Sequence, residues 1–139
     1  MNASTEKFTL TGPAGTIEAL LDLPVEGVPL RGTAVIAHPH PLFGGTMDNK
    51  VVQTLARAFV LSGWRAVRFN FRGVGASAGV YDEGRGELQD LLSVVAHSAA
   101  DGALALAGFS FGAFVTSHAV AALAARDPQA VVQIGRAHV

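Results

Sequence analysis

Short apolar runs, broken by glycine and proline, alternate along this chain with longer runs whose apolar residues recur every three or four positions. Residues 7–11 and 16–23 are expected to form two strands joined through Gly12-Pro13-Ala14-Gly15, a hairpin-like start. Residues 32–37 are an apolar, β-branched run that suits a fully buried parallel strand. Val51, Val52, Leu55 and Phe59 follow the 3.6-residue period, with Asp48 or Asn49 as cap and Gly63 as stop, which predicts a helix. Residues 65–71 alternate, with Val67, Phe69 and Phe71 on one face, as a strand does. A glycine-rich loop (72–86) follows, then an amphipathic helix (87–99) with Leu88, Leu91, Leu92 and Val95 inward. Residues 103–109 form the next strand, residues 113–125 a helix, and Val131 and Val132 begin a further strand. Strands alternating with helices in this way imply an α/β domain. Its sheet should be mainly parallel, with helices on both faces and an antiparallel hairpin leading in.

Composition narrows the classes of function. The 139 residues are 50% hydrophobic with a net charge of -1, enough apolar material for one globular core. Ten basic and eleven acidic residues form no basic block, so no nucleic-acid partner is expected. The absence of cysteine removes disulfides and thiolate metal sites. Met1-Asn2-Ala3-Ser4-Thr5-Glu6-Lys7 carries no leader-like apolar stretch, which makes a cytoplasmic location the default. Residues 102–125 are uncharged and long enough to raise a membrane span, but their glycines, their polar residues and the break near Ser110 favour a buried strand followed by a buried helix.

That break is Gly108-Phe109-Ser110-Phe111-Gly112, between a strand pattern and a helix pattern. It fits the GxSxG nucleophile elbow, in which a serine is exposed on a sharp strand-to-helix turn. The turn brings residues two places either side into close approach, which glycine alone permits without a Cβ clash. It also puts Ser110 at a helix N-terminus, where the Phe111 N–H is free to meet developing negative charge. The bland alternative is a tight turn between packed elements.

Two further segments stand in order before the elbow. The first is His38-Pro39-His40-Pro41-Leu42-Phe43-Gly44-Gly45, continuing through Thr46-Met47-Asp48-Asn49-Lys50-Val51. The second is Phe69-Asn70-Phe71-Arg72-Gly73-Val74-Gly75-Ala76-Ser77. On these three segments the chain resembles the α/β-hydrolase superfamily, in particular its small bacterial predicted serine hydrolases of the dienelactone-hydrolase and esterase kind, over roughly residues 5 to 133. The resemblance implies an acyl-enzyme mechanism on a carboxylic ester, thioester or amide, with Ser110 as nucleophile, a small-molecule acyl substrate and no cofactor. It also implies a second oxyanion donor just after the third strand. Pro39 and Pro41 have no N–H to give, and alignment with the family's His-Gly-x pattern points to the N–H of His40. One such donor is worth about 3–4 kcal/mol in the transition state.

The same residues admit other chemistries. His38 and His40 at a strand end also suit a zinc-dependent hydrolase, but such a site needs further ligands. Their side chains are more readily explained as pocket lining or backbone partners. A non-catalytic α/β-hydrolase-fold binding module is the remaining alternative. Gly73, Gly75 and Gly79 do not make a dinucleotide fingerprint. Arg72 is expected to be structural, bonding loop backbone, and Asp82, Glu83, Glu87 and Asp90 to form a solvated face.

The triad acid and histidine are expected to be absent from this chain. The family order places both after the serine, and only His118, Asp127 and His138 follow it. His118 lies down the helix leading away, Asp127 at its far end, and His138 on a short tail. Residues 134–139 can be back-translated as ATC GGA AGA GCA CAC GTC, the opening of a common short-read sequencing adaptor. The adaptor's leading AG requires a preceding Lys, Gln or Glu codon, and Gln133 complies. Residues 1–133 are therefore expected to be the N-terminal part of one hydrolase domain and 134–139 a non-native tail. Without its base such a chain should lose about 10^6 of kcat.

Overall fold

The computed structural model describes residues 4–135. β1 (Ser4–Gly12) and β2 (Gly15–Leu23) pair antiparallel in a hairpin whose closing pair is Gly12 and Gly15. β2 runs antiparallel to β4 (Trp64–Phe69), and from there the sheet is parallel: β4 to β3 (Gly32–Ala37), β3 to β5 (Leu104–Phe109), β5 to β6 (Ala130–Ile134). The six-stranded sheet has the order β1-β2-β4-β3-β5-β6. This is the α/β-hydrolase arrangement that the sequence implies, hairpin included.

Helices cover both faces. On one face, α1 (Lys50–Leu61) packs Val52, Leu55, Ala56 and Phe59 against Ala34, Ile36, Ala66 and Ala105. On the other, α2 (Arg85–Ser98) and α3 (Phe111–Ala122) bring Leu91, Val94, Val95, Val115 and Ala119 onto Val35, Val67, Phe69 and Leu106. The alternation along β3 thus feeds two cores, which is why its sequence is apolar without a polar face. α3 carries β-branched residues and a glycine, poor helix formers by themselves. Burial of about 1.5–3 kcal/mol for each large apolar side chain outweighs that propensity.

Helix starts are set by side chains as much as by period. Asn49, one of the two expected caps, accepts from the N–H groups of Val51 and Val52 at 2.9 and 3.2 Å and so begins α1. α2 begins at Arg85, two positions before the expected start, because Glu87 reaches back and accepts from the N–H groups of Gly84 (2.9 Å) and Asp82 (2.8 Å). α3 also begins early, at Phe111, directly after the bend at Ser110, and a short 3-10 turn (Ala124–Arg126) follows it.

One expectation fails here. Glu87 and Asp90 are not on a solvated face; both are buried, Glu87 as the α2 cap and Asp90 as the partner of Arg72. The expected boundary after residue 133 falls inside β6, which runs on through Ile134, and residues 136–139 lie outside the described residues. Among the described residues no helix is long and apolar enough to cross a membrane.

Candidate active site

Three chain segments converge at the C-terminal ends of β3, β4 and β5, and the sharpest bend is at the end of β5. Ser110 joins β5 to α3 with φ 58° and ψ -117°, a conformation that costs a non-glycine residue about 1–3 kcal/mol. The neighbouring glycines make the bend possible. A Cβ on Gly108 would collide with the carbonyl of Gly112, and one on Gly112 with the carbonyls of Ala37 and His38. The bend is fixed by backbone bonds: the Ser110 N–H donates to the Ile134 carbonyl (2.7 Å), and the Ser110 carbonyl accepts from Ala113 (2.9 Å) and Phe114 (3.1 Å). Ser110 itself is half-buried. The approach of Gly112 to Ala37 and His38 seats the elbow on the loop that leaves β3.

In that loop the two histidines have opposite fates. His38 is wholly buried. Its Nε2 accepts from the Phe71 N–H at 3.0 Å, which leaves the proton on Nδ1 to donate to the Pro39 carbonyl at 2.7 Å. Burial drives its pKa down from 6.5 to about 4, against the weaker upward pull of the Pro39 bond. A neutral imidazole with both nitrogens engaged by backbone cannot offer a lone pair to a metal, so the zinc alternative loses its first ligand. Among the described residues no group of three or more His, Asp or Glu is placed to hold a metal ion.

His40 stands at the front of the loop, half-buried. Its Nδ1 accepts from the Leu42 N–H (3.1 Å) and caps the 3-10 turn Pro41–Phe43, and its Nε2 lies 3.2 Å from the Tyr81 hydroxyl. The His40 carbonyl accepts from Phe43 (3.1 Å) and Gly45 (3.0 Å). Its ring packs 4.8 Å from that of Phe111, joining the residue after Ser110 to this loop. Among the described residues, the backbone N–H groups of His40 and Phe111 make no backbone hydrogen bond. Burial, with the charges of Glu87 and Glu83 adding to it, pushes the Tyr81 phenol above its ordinary value.

The glycine-rich segment after β4 braces this arrangement from behind. Asn70 accepts from the Met47 N–H (2.8 Å) and donates to Glu18 (2.8 Å), whose same oxygen accepts from the Ala76 N–H (2.9 Å). Ser77 donates to the Asn70 carbonyl at 2.8 Å and accepts from the Glu18 N–H at 2.9 Å. Arg72 is structural, as expected, but its partner is a side chain and not loop backbone. Nη2 meets Asp90 Oδ1 at 2.8 Å and Nε meets Oδ2 at 3.2 Å, and this pairing holds the guanidinium pKa above its ordinary value.

Neither histidine nor acid after Ser110 completes a triad among the described residues. His118 is exposed on α3 and meets the Phe114 ring edge-to-face at 4.9 Å, and Asp127 caps the 3-10 turn at the far end; His138 lies outside the described residues. Tyr81, Asn70 and Asp90 were not expected from sequence to have these roles. Glu87 and Asp90 did carry a signal, since with Leu91 and Val94 they fall on the helical period of the buried stripe.

The fold and this bend define an α/β hydrolase. The chain belongs to this superfamily of serine hydrolases: residues 23–136 match the family described as X-Pro dipeptidyl-peptidase (S15 family). XC6422 from Xanthomonas campestris, an α/β serine hydrolase without lid, is 43% identical with a TM-score of 0.85, covering 96% of this chain and 62% of that one. An α/β serine hydrolase homologue from Coxiella burnetii is 48% identical with a TM-score of 0.78, covering 83% of this chain and 56% of its own. The uncharacterized protein RP471 of Rickettsia prowazekii is 37% identical over 113 residues, 78% of this chain and 47% of RP471. The chain thus spans about half to three-fifths of the length of these relatives.

Proposed function

We propose that the protein of which this chain is a part is a serine hydrolase acting on a small-molecule carboxylic ester, thioester or amide through an acyl-enzyme. The observation that carries the reading is Ser110, held at positive φ between β5 and α3 with the Phe111 N–H at the helix start beside it. Ser110 Oγ attacks the carbonyl carbon while its proton passes to a histidine base. The carbonyl oxygen becomes an oxyanion that accepts from the N–H groups of His40 and Phe111. Collapse expels the alcohol, thiol or amine, which takes the proton from the base. Water then attacks the acyl-enzyme in the same way, releasing the carboxylic acid and restoring Ser110. No metal or organic cofactor takes part.

The base and its acid are assigned to sequence outside this chain, because His118 and Asp127 sit along and beyond α3. Residues 1–133 are then the N-terminal part of one domain, and residues 134–139 derive from adaptor. Reading the source DNA checks the second point, since other codons at those positions would remove it. A site without a lid, as in the Xanthomonas campestris relative, leaves Ser110 open to a small probe. In the full-length protein a fluorophosphonate is expected to label Ser110 and to fail on Ser110→Ala. An unlabelled serine in an otherwise folded protein would instead mark a binding module.

A further inference from the structure

The rings beside Ser110 form one unbroken surface. Phe43 packs on His40 with centroids 4.8 Å apart, His40 on Tyr81 at 5.0 Å and on Phe111 at 4.8 Å, and Phe111 leads to Phe114 at 6.2 Å. Its two ends are open to solvent: Phe43 is 84% and Phe114 53% exposed, while every other Phe, Tyr or Trp of the chain is buried or half-buried. Among the described residues neither ring is packed into a core. The 3-10 turn bearing Phe43 buries none of its residues, and α3 buries Val115, Thr116 and Ala119 but not Phe114.

The surface also has depth. A largely apolar, open depression of about 280 Å³ lies between Phe114, Gly84 and Leu88, with His118 also lining it. At its rim Arg85 and Glu83 stand 3.5 Å apart and offset one another's charge. Glycine at position 84 keeps the approach clear, because a Cβ there would touch the Phe114 ring at 3.0 Å.

We infer that this ring surface is the substrate's apolar subsite: the carbonyl attacked by Ser110 carries a bulky uncharged group, aromatic or branched aliphatic, that lies along Phe111 towards Phe114, with Phe43 flanking it. The inference rests on the serine-hydrolase reading and specifies its substrate class. It makes Phe43 and Phe114 specificity-determining residues.

An NMR titration of the full-length protein with acetophenone tests it, because this neutral ketone has the carbonyl and the ring but no leaving group. Acetophenone is expected to shift the amides of residues 40, 42, 43, 81 and 111–114 and to bind about tenfold or more tighter than acetone. Phe114→Ala, at an exposed position, should weaken binding about threefold or more. Ser110→Ala should still bind acetophenone. Equal affinity for the two ketones, shifts confined to other residues, or unaltered affinity in both Phe114→Ala and Phe43→Ala would overturn the inference. If Ser110 of the full-length protein resists the fluorophosphonate while acetophenone binds as expected, the hydrolase reading falls and the apolar subsite stands, so the two failures are distinguishable.

Discussion

The back of the site and its front obey opposite rules. Behind it, His38, Asn70, Glu18, Ser77, Arg72, Asp90 and Glu87 spend their polar atoms on one another or on backbone, and among the described residues no buried side-chain nitrogen or oxygen lacks a partner. At the front, Ser110 is strained, the His40 and Phe111 N–H groups make no backbone bond, and Phe43 and Phe114 face solvent. The satisfied region fixes positions, and in the proposed mechanism the unsatisfied region is the part that binds. Buried polar groups are costly unless fully paired, so such a brace either holds completely or fails badly.

The largest effect should come from breaking the brace. Asp90→Ala leaves the Arg72 guanidinium largely buried without its counter-charge and is expected to lower unfolding stability by about 3–5 kcal/mol, measured by urea denaturation. Replacing both partners by apolar residues, as in Arg72→Met with Asp90→Leu, should cost less, the remaining loss coming from the residue 72 N–H, which donates to Asp90 Oδ2 at 2.9 Å. Equal losses in the single and double variants would contradict the assigned ion pair.

The front is probed by removing one donor. His40 has φ -56°, which proline can adopt, so His40→Pro deletes the N–H at a compatible φ. In the full-length protein kcat is expected to fall by about 10^2–10^3. His40→Asn, which keeps the N–H and an acceptor for Leu42, serves as the control for loss of the ring. Equal kcat in the two variants would remove the His40 N–H from the oxyanion site.

A somewhat smaller effect sharpens the contrast between the two histidines. The folded chain holds His38 neutral down to about pH 4, whereas the unfolded chain protonates it near pH 6.5. Between those values the unfolded state binds the extra proton. Stability present above about pH 6.5 is therefore lost as the pH falls towards 4, by roughly 3 kcal/mol from this residue. Urea midpoints measured from pH 7 to 4 should fall, and His38→Gln should flatten the profile. An identical profile in that variant would assign the slope to other groups.

Much of this division was legible in the residues. β3 has the expected bounds because its run is apolar on both faces and ends against the His38-Pro39 loop. The elbow was legible because only glycine survives at 108 and 112. The split between His38 and His40 was not, since two identical side chains in one loop differ only in what the segment between β4 and α2 brings to them: the Phe71 N–H reaches one and the Tyr81 hydroxyl the other. The burial of Glu87 and Asp90 was hidden by their charge, although their spacing gave it. A pattern in sequence reports which face a residue occupies. It does not report the long-range partner that makes burial of a charge tolerable.

In the proposed mechanism Ser110 carries the acyl group. Rapid acid quench of the full-length protein with 4-nitrophenyl acetate, followed by peptide mass mapping, tests it most directly. An acetyl adduct is expected on the peptide containing Ser110, absent in Ser110→Ala. Ester hydrolysis that proceeds at the same rate in both proteins, with no adduct on that peptide, would contradict it.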